Sequence, residues 1–267
     1  GTDVGHGALL DHRAGTVQPL AYVRGLAAAA ARAGARLHAH SPAIAVEESG
    51  GGWRVTTEDG SVTAEWLVMA TNAYHAGLEG LPAPRYTPVH YFQCATRPLS
   101  ENLLSAILPE RQGVWDTATV MSSFRRDAAG RLVVGGIGSL GEPGAPVHRD
   151  WARRKLARLF PDVPDEPFEH AWFGRIAMTA DHLPRIVSLG ERAVAVYGYS
   201  GRGIAPGTVF GTAIGDYVLG ADPSVLPLPP TTFGREPLAG LKRLWFEAGA
   251  TAFHLVSSRL PARRAPR

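Results

Sequence analysis

The chain has 267 residues with 27 Lys or Arg and 24 Asp or Glu, so its formal net charge at pH 7 is only +3. Hydrophobic residues make up 45% of it and charged residues 19%, which is typical of a globular protein with one large or two modest domains. No basic run is long enough to indicate nucleic-acid binding, and no apolar run reaches the length of a membrane span. The single cysteine, Cys94, excludes an internal disulfide and predicts a cytoplasmic location.

The first ten residues, GTDVGHGALL, lack the basic and apolar regions of a signal peptide and contain no Met. They predict a sequence that begins inside a longer protein. Residues 20–33 are rich in Ala, Leu and Arg, and they predict a helix that ends at Gly34.

The segment up to residue 74 alternates short strands and turns. Asp59-Gly60 predicts a hairpin, and the apolar run 65–70 predicts a buried strand that ends in a small polar loop. A turn is expected at 47–52, and further strands are expected at 36–40, 43–46, 53–57 and 61–64. A helix, a hairpin and a buried strand in this order are typical of the back half of a dinucleotide-binding domain, although no G-x-G-x-x-G fingerprint follows a strand near the start.

From Pro82 the apolar periodicity changes to two, which predicts an antiparallel sheet in a second domain inserted into the first. Its strands are expected at 89–96, 131–136 and 168–173, with one or two more within 113–124, a hairpin turn at 127–130 and a helix at 149–160. The sequence GGIGSLG at 135–141 is interpreted as a loop, because it follows a hairpin-like strand and precedes Glu142-Pro143-Gly144 rather than a helix, and a phosphate-binding role for it stays open.

The stretch GYSGRGIAPGTVFGTAIGDYVLG at 198–220 carries the strongest functional signal. It follows the buried-strand run 193–197, its glycines allow tight turns, and Pro206 predicts the start of a helix. A strand, a glycine turn and a helix N-terminus form a site for an anion or an electron-rich ring edge, or else a tight connection without a ligand.

A proline-rich linker at 223–230 precedes a predicted amphipathic helix at 238–258. Core packing or a partner explains the apolar face of this helix better than a membrane does. The residues of that face are Leu241, Leu244, Trp245 and Phe253.

The sequence indicates neither a metal-ligand set nor a catalytic nucleophile. The histidines are scattered without ligand spacing, Cys94 is interpreted as a buried strand thiol, and Ser200 does not lie in a G-x-S-x-G pattern. We therefore assign no metal and no catalytic residue from the sequence.

Five segments carry a resemblance when taken together and in order: 15–43, 53–74, 124–136, 172–186 and 198–220. Through these segments the chain resembles the C-terminal two-thirds of FAD-dependent amine and amino-acid oxidoreductases of the D-amino-acid oxidase, glycine oxidase and sarcosine oxidase superfamily. Within that superfamily it is most similar to γ-glutamylputrescine oxidoreductase-like members. The resemblance implies an α/β plus α+β fold, in which a partial Rossmann-like FAD-binding domain contains an inserted antiparallel-sheet substrate domain. It assigns residues 1–84 to the back half of the FAD-binding domain, 85–175 to the substrate domain, 176–222 to the C-terminal part of the FAD-binding domain, and 223–267 to a linker and C-terminal helix.

The resemblance also implies roles for individual residues. Arg125 would lie above the flavin ring and bind substrate, with a solvated strand arginine as the alternative, and Trp172 would wall the same site, with core packing as the alternative. The N-terminus of the helix near Pro206 would stabilise negative charge on reduced flavin. Residues that would contact non-covalent FAD are Ala43 at the adenine, Thr71 and Asn72 near the ribose and flavin, and Gly198, Tyr199, Ser200, Gly201, Gly203 and Ile204 around the isoalloxazine.

Three positions depart from the family pattern. Ala205 stands where sarcosine oxidases carry a lysine that helps oxygen react, and Gly174 stands near a cysteine that binds flavin covalently in some members. Ile176 stands where glycine oxidase has a carboxylate-binding arginine, and Arg175, one step along a strand, faces the other side. An amine or a γ-glutamyl-amine therefore fits better than a simple α-amino acid.

The resemblance thus implies FAD-dependent oxidation of a primary or secondary amine by hydride transfer to the flavin, followed by hydrolysis of the imine. The expected partners are a small-molecule amine and oxygen or an electron carrier, with no nucleic acid and no membrane span. A non-catalytic fragment or subunit that lacks the pyrophosphate-binding half is the alternative, and a β-rich binding module without a cofactor is a third possibility.

Overall fold

The structure is a computed structural model, and it describes residues 7–234 and 236–257. The described residues form two compact units. The five-stranded unit comprises residues 7–18, Val89–Gly174 and 241–257, and the two-sheet unit comprises Pro19–Pro88, 175–234 and 236–240. The first six residues and the last residue of the predicted helix at 238–258 lie outside the described residues.

The helices predicted at 20–33, at 149–160, near Pro206 and at 238–258 are confirmed as α1, α3, α4 and α5, whereas α2 was not predicted. The described α-helices are α1 Pro19–Arg32, α2 Glu101–Ala106, α3 Ala145–Leu159, α4 Ile204–Val218 and α5 Ala239–Val256. Two short 3-10 helices span Asn72–Tyr74 and Pro223–Val225.

The strands follow the runs of period two and the apolar runs. They are β1 Ala45–Ser49, β2 Gly52–Thr57, β3 Gly60–Ala64, β4 Leu67–Met69, β5 Thr87–Pro98, β6 Val114–Trp115, β7 Ser122–Arg126, β8 Arg131–Ile137, β9 His170–Met178, β10 Arg185–Gly190 and β11 Ala193–Tyr197.

The five-stranded unit is built on one sheet with the order β6-β7-β8-β5-β9. The predicted hairpin joins β7 to β8, and its turn is held by Asp127, whose Oδ1 accepts the N–H groups of Ala129 (2.9 Å) and Arg131 (2.8 Å). Helix α3 packs on the sheet through Trp151 and Leu156, and each such buried side chain contributes roughly 1.5–3 kcal/mol. The strand residues in this core are Phe92, Cys94, Phe124, Leu132 and Val134.

The interpretation of GGIGSLG as a loop is confirmed for residues 138–141 and was wrong for the first three residues. Gly135–Ile137 complete β8, and α3 begins at Ala145. Close packing accounts for the strand glycines, because a Cβ on Gly136 would lie 2.9 Å from the Trp151 ring and one on Gly135 would lie 2.6 Å from the Gln93 side chain.

The two-sheet unit contains the antiparallel sheet β1-β2-β3 and the sheet β10-β11-β4. The strand predicted at 36–40 was wrong, because this exposed segment pairs with no strand in the described chain and ends in a turn at Ala39-His40. The turn predicted at 47–52 is shorter, since β1 continues to Ser49 and the chain reverses at Gly50 and Gly51.

The strand β11 is antiparallel to β10 and parallel to β4, which lies more than 120 residues earlier in the chain. The other side of β4 pairs with no strand within the described residues, and Val68 in its centre is 41% exposed. Helix α1 lies beside α4, where the hydroxyls of Tyr22 and Thr208 are 2.7 Å apart, yet it buries none of its residues. The two-sheet unit therefore presents a free strand edge next to exposed apolar helix surface.

Candidate cofactor and substrate site

The turn that joins β11 to α4 depends on glycine. Gly198 has φ +84°, and a Cβ there would lie 2.6 Å from Cγ2 of Thr179. Gly201 has φ +87°, in the left-handed region that side chains disfavour. The sequence therefore folds here into a turn that brings backbone groups, rather than side chains, to the surface.

Asn72 fastens the β4 loop to this turn. Its Oδ1 accepts the N–H of Gly198 at 3.0 Å, although the two residues are 126 positions apart. Asn72 itself has φ +45°, a conformation that Asn tolerates better than most residues. Two residues that the sequence assigns to one cofactor site are thus in contact.

Ser200 closes the other side of the turn. Its N–H donates to the carbonyl of Ala177 (3.2 Å), and its Oγ accepts the N–H of Thr179 (3.3 Å). The hydroxyl of Thr179 in turn donates to the Leu183 carbonyl at 2.8 Å. Sequence reasoning missed Ala177 and Thr179, because both act through backbone groups or a small hydroxyl that carry no motif.

Helix α4 begins at Ile204 with Gly203 as its N-cap and without a side-chain cap. Pro206, the third residue, lies in the first turn, as the sequence predicts. Backbone N–H groups in the first turn of a helix lack intrahelical acceptors and carry partial positive charge. Gly201, Gly203 and Ile204 are exposed, so this helix start is open to a ligand with negative charge.

The three glycines of α4 do not lie flush on a sheet. No atom lies within 4 Å of the position that a Cβ would take on Gly207, Gly211 or Gly215. They face a groove of about 350 Å³ whose other lining residues are mostly apolar: Val68, Ala70, Val196, Tyr199, Ile214 and Val218. A lining without a cation suits an apolar segment better than a pyrophosphate.

The remaining predicted cofactor residues also belong to the two-sheet unit. Thr71 is exposed, and its hydroxyl lies 3.3 Å from Nδ1 of His75. Ala43 is exposed and lies two positions before β1. Tyr199 is half-buried, and its ring packs edge-on against Phe210.

The alternation of β9 separates Arg175 from Ile176. The guanidinium of Arg175 lies 4.8 Å from the centre of the Tyr74 ring, and its backbone N–H donates to the Tyr74 hydroxyl at 3.0 Å. Ile176 faces the glycine turn, with its Cδ1 3.5 Å from the position of a Cβ on Gly201. At this point the side chain directed at the turn is therefore apolar.

In the five-stranded unit, Arg125 on β7 is a half-buried cation. No carboxylate in the described part of the chain lies within ion-pair distance of it, whereas Arg131 on the next strand pairs with Glu169 at 2.7 Å. Burial lowers the pKa of the Arg125 guanidinium, and the neighbouring Tyr91 opposes that shift. The hydroxyl of Tyr91 donates to Ser123 Oγ at 2.9 Å. Arg125 thus differs from Arg131 in having no ion-pair partner among the described residues.

Trp172 on β9 is 46% exposed, so packing in the core does not explain it. Its ring is available to a ligand, and its assignment to the substrate stays a prediction. Cys94 is fully buried on β5, and burial raises the pKa of its thiol to about 11.

Two histidines that are far apart in the sequence are in contact in the structure. Nδ1 of His148 lies 2.8 Å from Nδ1 of His254, and Nε2 of His148 lies 3.2 Å from a carboxylate oxygen of Glu247. The other oxygen of Glu247 lies 3.8 Å from His90. No group of three or more His, Cys, Asp or Glu side chains in residues 7–234 and 236–257 is placed to hold a metal. In the same residues, no helix is both long enough and apolar enough to cross a membrane.

Comparisons with known proteins identify the family. The model of the FAD dependent oxidoreductase family matches residues 2–217. The probable oxidoreductase OrdL of Rhizobium meliloti (strain 1021) is 30% identical over 215 residues, which are 80% of this chain and 50% of that protein. The γ-glutamylputrescine oxidoreductase of Escherichia coli (strain K12) is 28% identical over 215 residues, with the same coverage. The chain spans about half the length of the curated relatives it matches, not the two-thirds that the resemblance implies.

Solved structures show the same fold. Glycine oxidase from Geobacillus kaustophilus matches with a TM-score of 0.62 at 22% identity, over 80% of this chain and 57% of that one. Fructosyl amine:oxygen oxidoreductase (Amadoriase I) from Aspergillus fumigatus matches with a TM-score of 0.55 at 16% identity, over 76% and 50% of the two chains. The predicted fold class is confirmed.

Proposed function

Because the chain belongs to the FAD dependent oxidoreductase family, we propose that it forms the flavin-facing and substrate-facing part of an enzyme that oxidises a primary or secondary amine. The observation that carries this proposal is the uncapped N-terminus of α4 behind the Gly198–Gly203 turn. Backbone N–H groups and positive φ angles let a flat ring edge approach closely there. The same N–H groups stabilise negative charge that develops at that edge.

The residues present fit the ring end of FAD. Asn72 holds Gly198, Ser200 is held by the Ala177 carbonyl, and the α4 N-terminus stays open between them. When bound, FAD supplies the redox chemistry by accepting a hydride from the carbon that bears the amine. We expect FAD to be non-covalent, because the one cysteine of the chain, Cys94, is buried in the core of the five-stranded unit.

Arg125 supports the choice of substrate. A half-buried guanidinium without a carboxylate partner in the described chain suits a substrate carboxylate through charge-assisted hydrogen bonds. Arg175 is engaged with Tyr74, and Ile176 faces the turn, so neither is set to hold an α-carboxylate beside the reacting amine. A γ-glutamyl-amine carries its carboxylate far from the reacting amine and therefore needs no cation beside the turn.

The pyrophosphate of FAD requires a second half of the protein. The free edge of β4 and the apolar groove beside α4 suit a βα segment that carries a glycine-rich phosphate loop. We call this chain together with such a half, on the same or another polypeptide, the complete flavoprotein. Without that half the chain is the non-catalytic subunit or fragment of the alternative hypothesis.

The test is anaerobic reduction of the complete flavoprotein by candidate amines, followed as loss of the absorbance of oxidised flavin. We expect γ-glutamyl-amines to reduce it. Arg125→Gln should raise the half-saturating amine concentration roughly 10- to 100-fold, and Arg125→Lys should raise it less. Arg97→Gln, on an exposed arginine 3.9 Å from Glu166, is the matched control and should change little.

Two results would contradict the proposal. If no candidate amine reduced the flavin, the proposed amine oxidation would be wrong. If Arg125→Gln left the half-saturating concentration of γ-glutamyl-amines unchanged, Arg125 would not bind substrate, although amine oxidation itself would still stand.

A further inference from the structure

Helix α5 carries apolar residues on two opposite faces, and the described structure covers only one of them. On the inner face, Ala250 and His254 are 2% and 0% exposed. On the opposite face, Leu241, Leu244 and Trp245 are 62%, 57% and 70% exposed. At about 100° per residue the exposed residues fall into one stripe along the helix. This outer stripe consists of Leu241, Leu244, Trp245, Ala248, Ala252, Leu255 and Val256.

Polar contacts fix the rotation of α5 about its axis. Glu247 accepts the N–H of Ser139 at 3.0 Å and contacts His148 at 3.2 Å, and His148 contacts His254. Nη2 of Arg154 donates to the His254 carbonyl at 2.6 Å. Rolling the helix to bury the outer stripe would break these buried contacts, so the stripe stays outward.

We propose that the outer stripe packs against the outer stripe of a second copy of this chain, with the two α5 helices antiparallel about a two-fold axis. The sizes of the side chains favour this arrangement. With the axis between Ala248 and Gly249, Leu241 lies opposite Val256 of the second copy, and Trp245 lies opposite Ala252. The largest side chain, Trp245, then meets a small one, and the two smallest residues, Ala248 and Gly249, occupy the crossing point, where the two backbones approach most closely.

Area and charge agree with this occupant. The stripe contains no charged residue, and from the exposed fractions of its large side chains a pair buries at most about 1,000 Å², the lower end for a specific interface. A helix that lies on a lipid surface carries cations along both borders of its apolar face. The borders of this stripe carry Lys242 on one side and Thr251 on the other, which favours a protein surface.

The test compares variants of the 267-residue chain by sedimentation equilibrium over a wide concentration range. We expect a monomer–dimer equilibrium whose dissociation constant rises at least tenfold in Trp245→Arg. Ala248→Leu should weaken the dimer as well, because it separates the helices at their crossing, although it makes the stripe more apolar. Leu219→Arg, at an 87% exposed leucine after α4, is the control and should leave the equilibrium unchanged.

A cysteine at the crossing point gives a second readout. Ala248→Cys should form a disulfide-linked dimer under mild oxidant, both in the chain and in the complete flavoprotein, while the buried Cys94 does not react and Leu219→Cys forms no such dimer. Each of the following results would overturn the proposal: a monomer at all concentrations, or association that Ala248→Leu strengthens. Association that only Val68→Lys on β4 disrupts would also overturn the proposal. So would a complete flavoprotein that is monomeric and shields the new thiol of Ala248→Cys from thiol reagents.

Discussion

Position 198 requires glycine for two reasons, the backbone conformation there and the close approach of Thr179. Its φ of +84° disfavours any side chain, and Thr179 cannot move aside freely because its hydroxyl is bonded to the Leu183 carbonyl. We expect Gly198→Ala to lower the free energy of unfolding by roughly 1–3 kcal/mol. Urea denaturation followed by circular dichroism measures this change.

Gly207→Ala is the matched control for that experiment. Gly207 lies in the helix interior with no atom within 4 Å of the added Cβ, so we expect stability to stay the same or rise by up to about 1 kcal/mol. If Gly198→Ala proved as stable as the unaltered chain, the turn would not have the geometry described.

Asn72 is expected to contribute through one hydrogen bond and its unusual φ. Asn72→Ala leaves the buried N–H of Gly198 without its acceptor and should cost roughly 1–3 kcal/mol. Asn72→Asp keeps an acceptor and tolerates positive φ, so it should recover most of that loss in the same urea experiment. An Asp variant as unstable as the Ala variant would show that the amide acts through some other contact.

At the scale of elements, α5 is fastened by a histidine that resists protonation. Burial, with nearby His148 and Arg154, lowers the pKa of His254 to about 3 from an ordinary 6.5. The unfolded chain therefore binds a proton that the folded chain does not between these two values. Stability should be full above pH 6.5 and should fall as the pH drops from there towards 3, because unfolding then takes up about one proton.

This pH dependence is measured by urea denaturation at a series of pH values. His254→Phe removes the titrating group and keeps an aromatic ring against Trp151, whose ring centre lies 4.0 Å from that of His254. We expect a shallower loss of stability with acid in this variant and no change in slope for the exposed His38→Gln. An unchanged slope in His254→Phe would place the acid sensitivity elsewhere.

At the scale of the whole molecule, the elements whose partners are near in sequence could be predicted from it. Periodicity and turn residues predict α1, the β7–β8 hairpin and the β11–turn–α4 succession, since each rests on local propensity. The contact between His148 and His254, or between Asn72 and Gly198, joins residues more than 100 positions apart and leaves no local signal. The glycines of β8 misled the sequence interpretation because packing against Trp151, rather than a loop, requires them.

The same limit applies to the candidate site. The glycine turn could be found from its composition, because only certain backbones need glycine at such density. The free charge of Arg125 could not be found, since pairing with a carboxylate depends on how the strands align. The exposure of the α5 stripe also depends on which face the Glu247 contacts hold inward.

The edge of β4 allows the two-half organisation to be tested with one substitution. The N–H of Leu67 donates to the Arg192 carbonyl beside β11, so the N–H of the next residue, Val68, points to the free edge. Val68→Pro therefore removes no hydrogen bond from the chain itself and should change its stability by less than about 1 kcal/mol. In the complete flavoprotein it blocks pairing with the strand of the pyrophosphate-binding half, and we expect FAD content to fall at least tenfold. Val68→Ala, which keeps the N–H, should retain FAD; equal FAD in the Pro variant would mean that the second half attaches elsewhere.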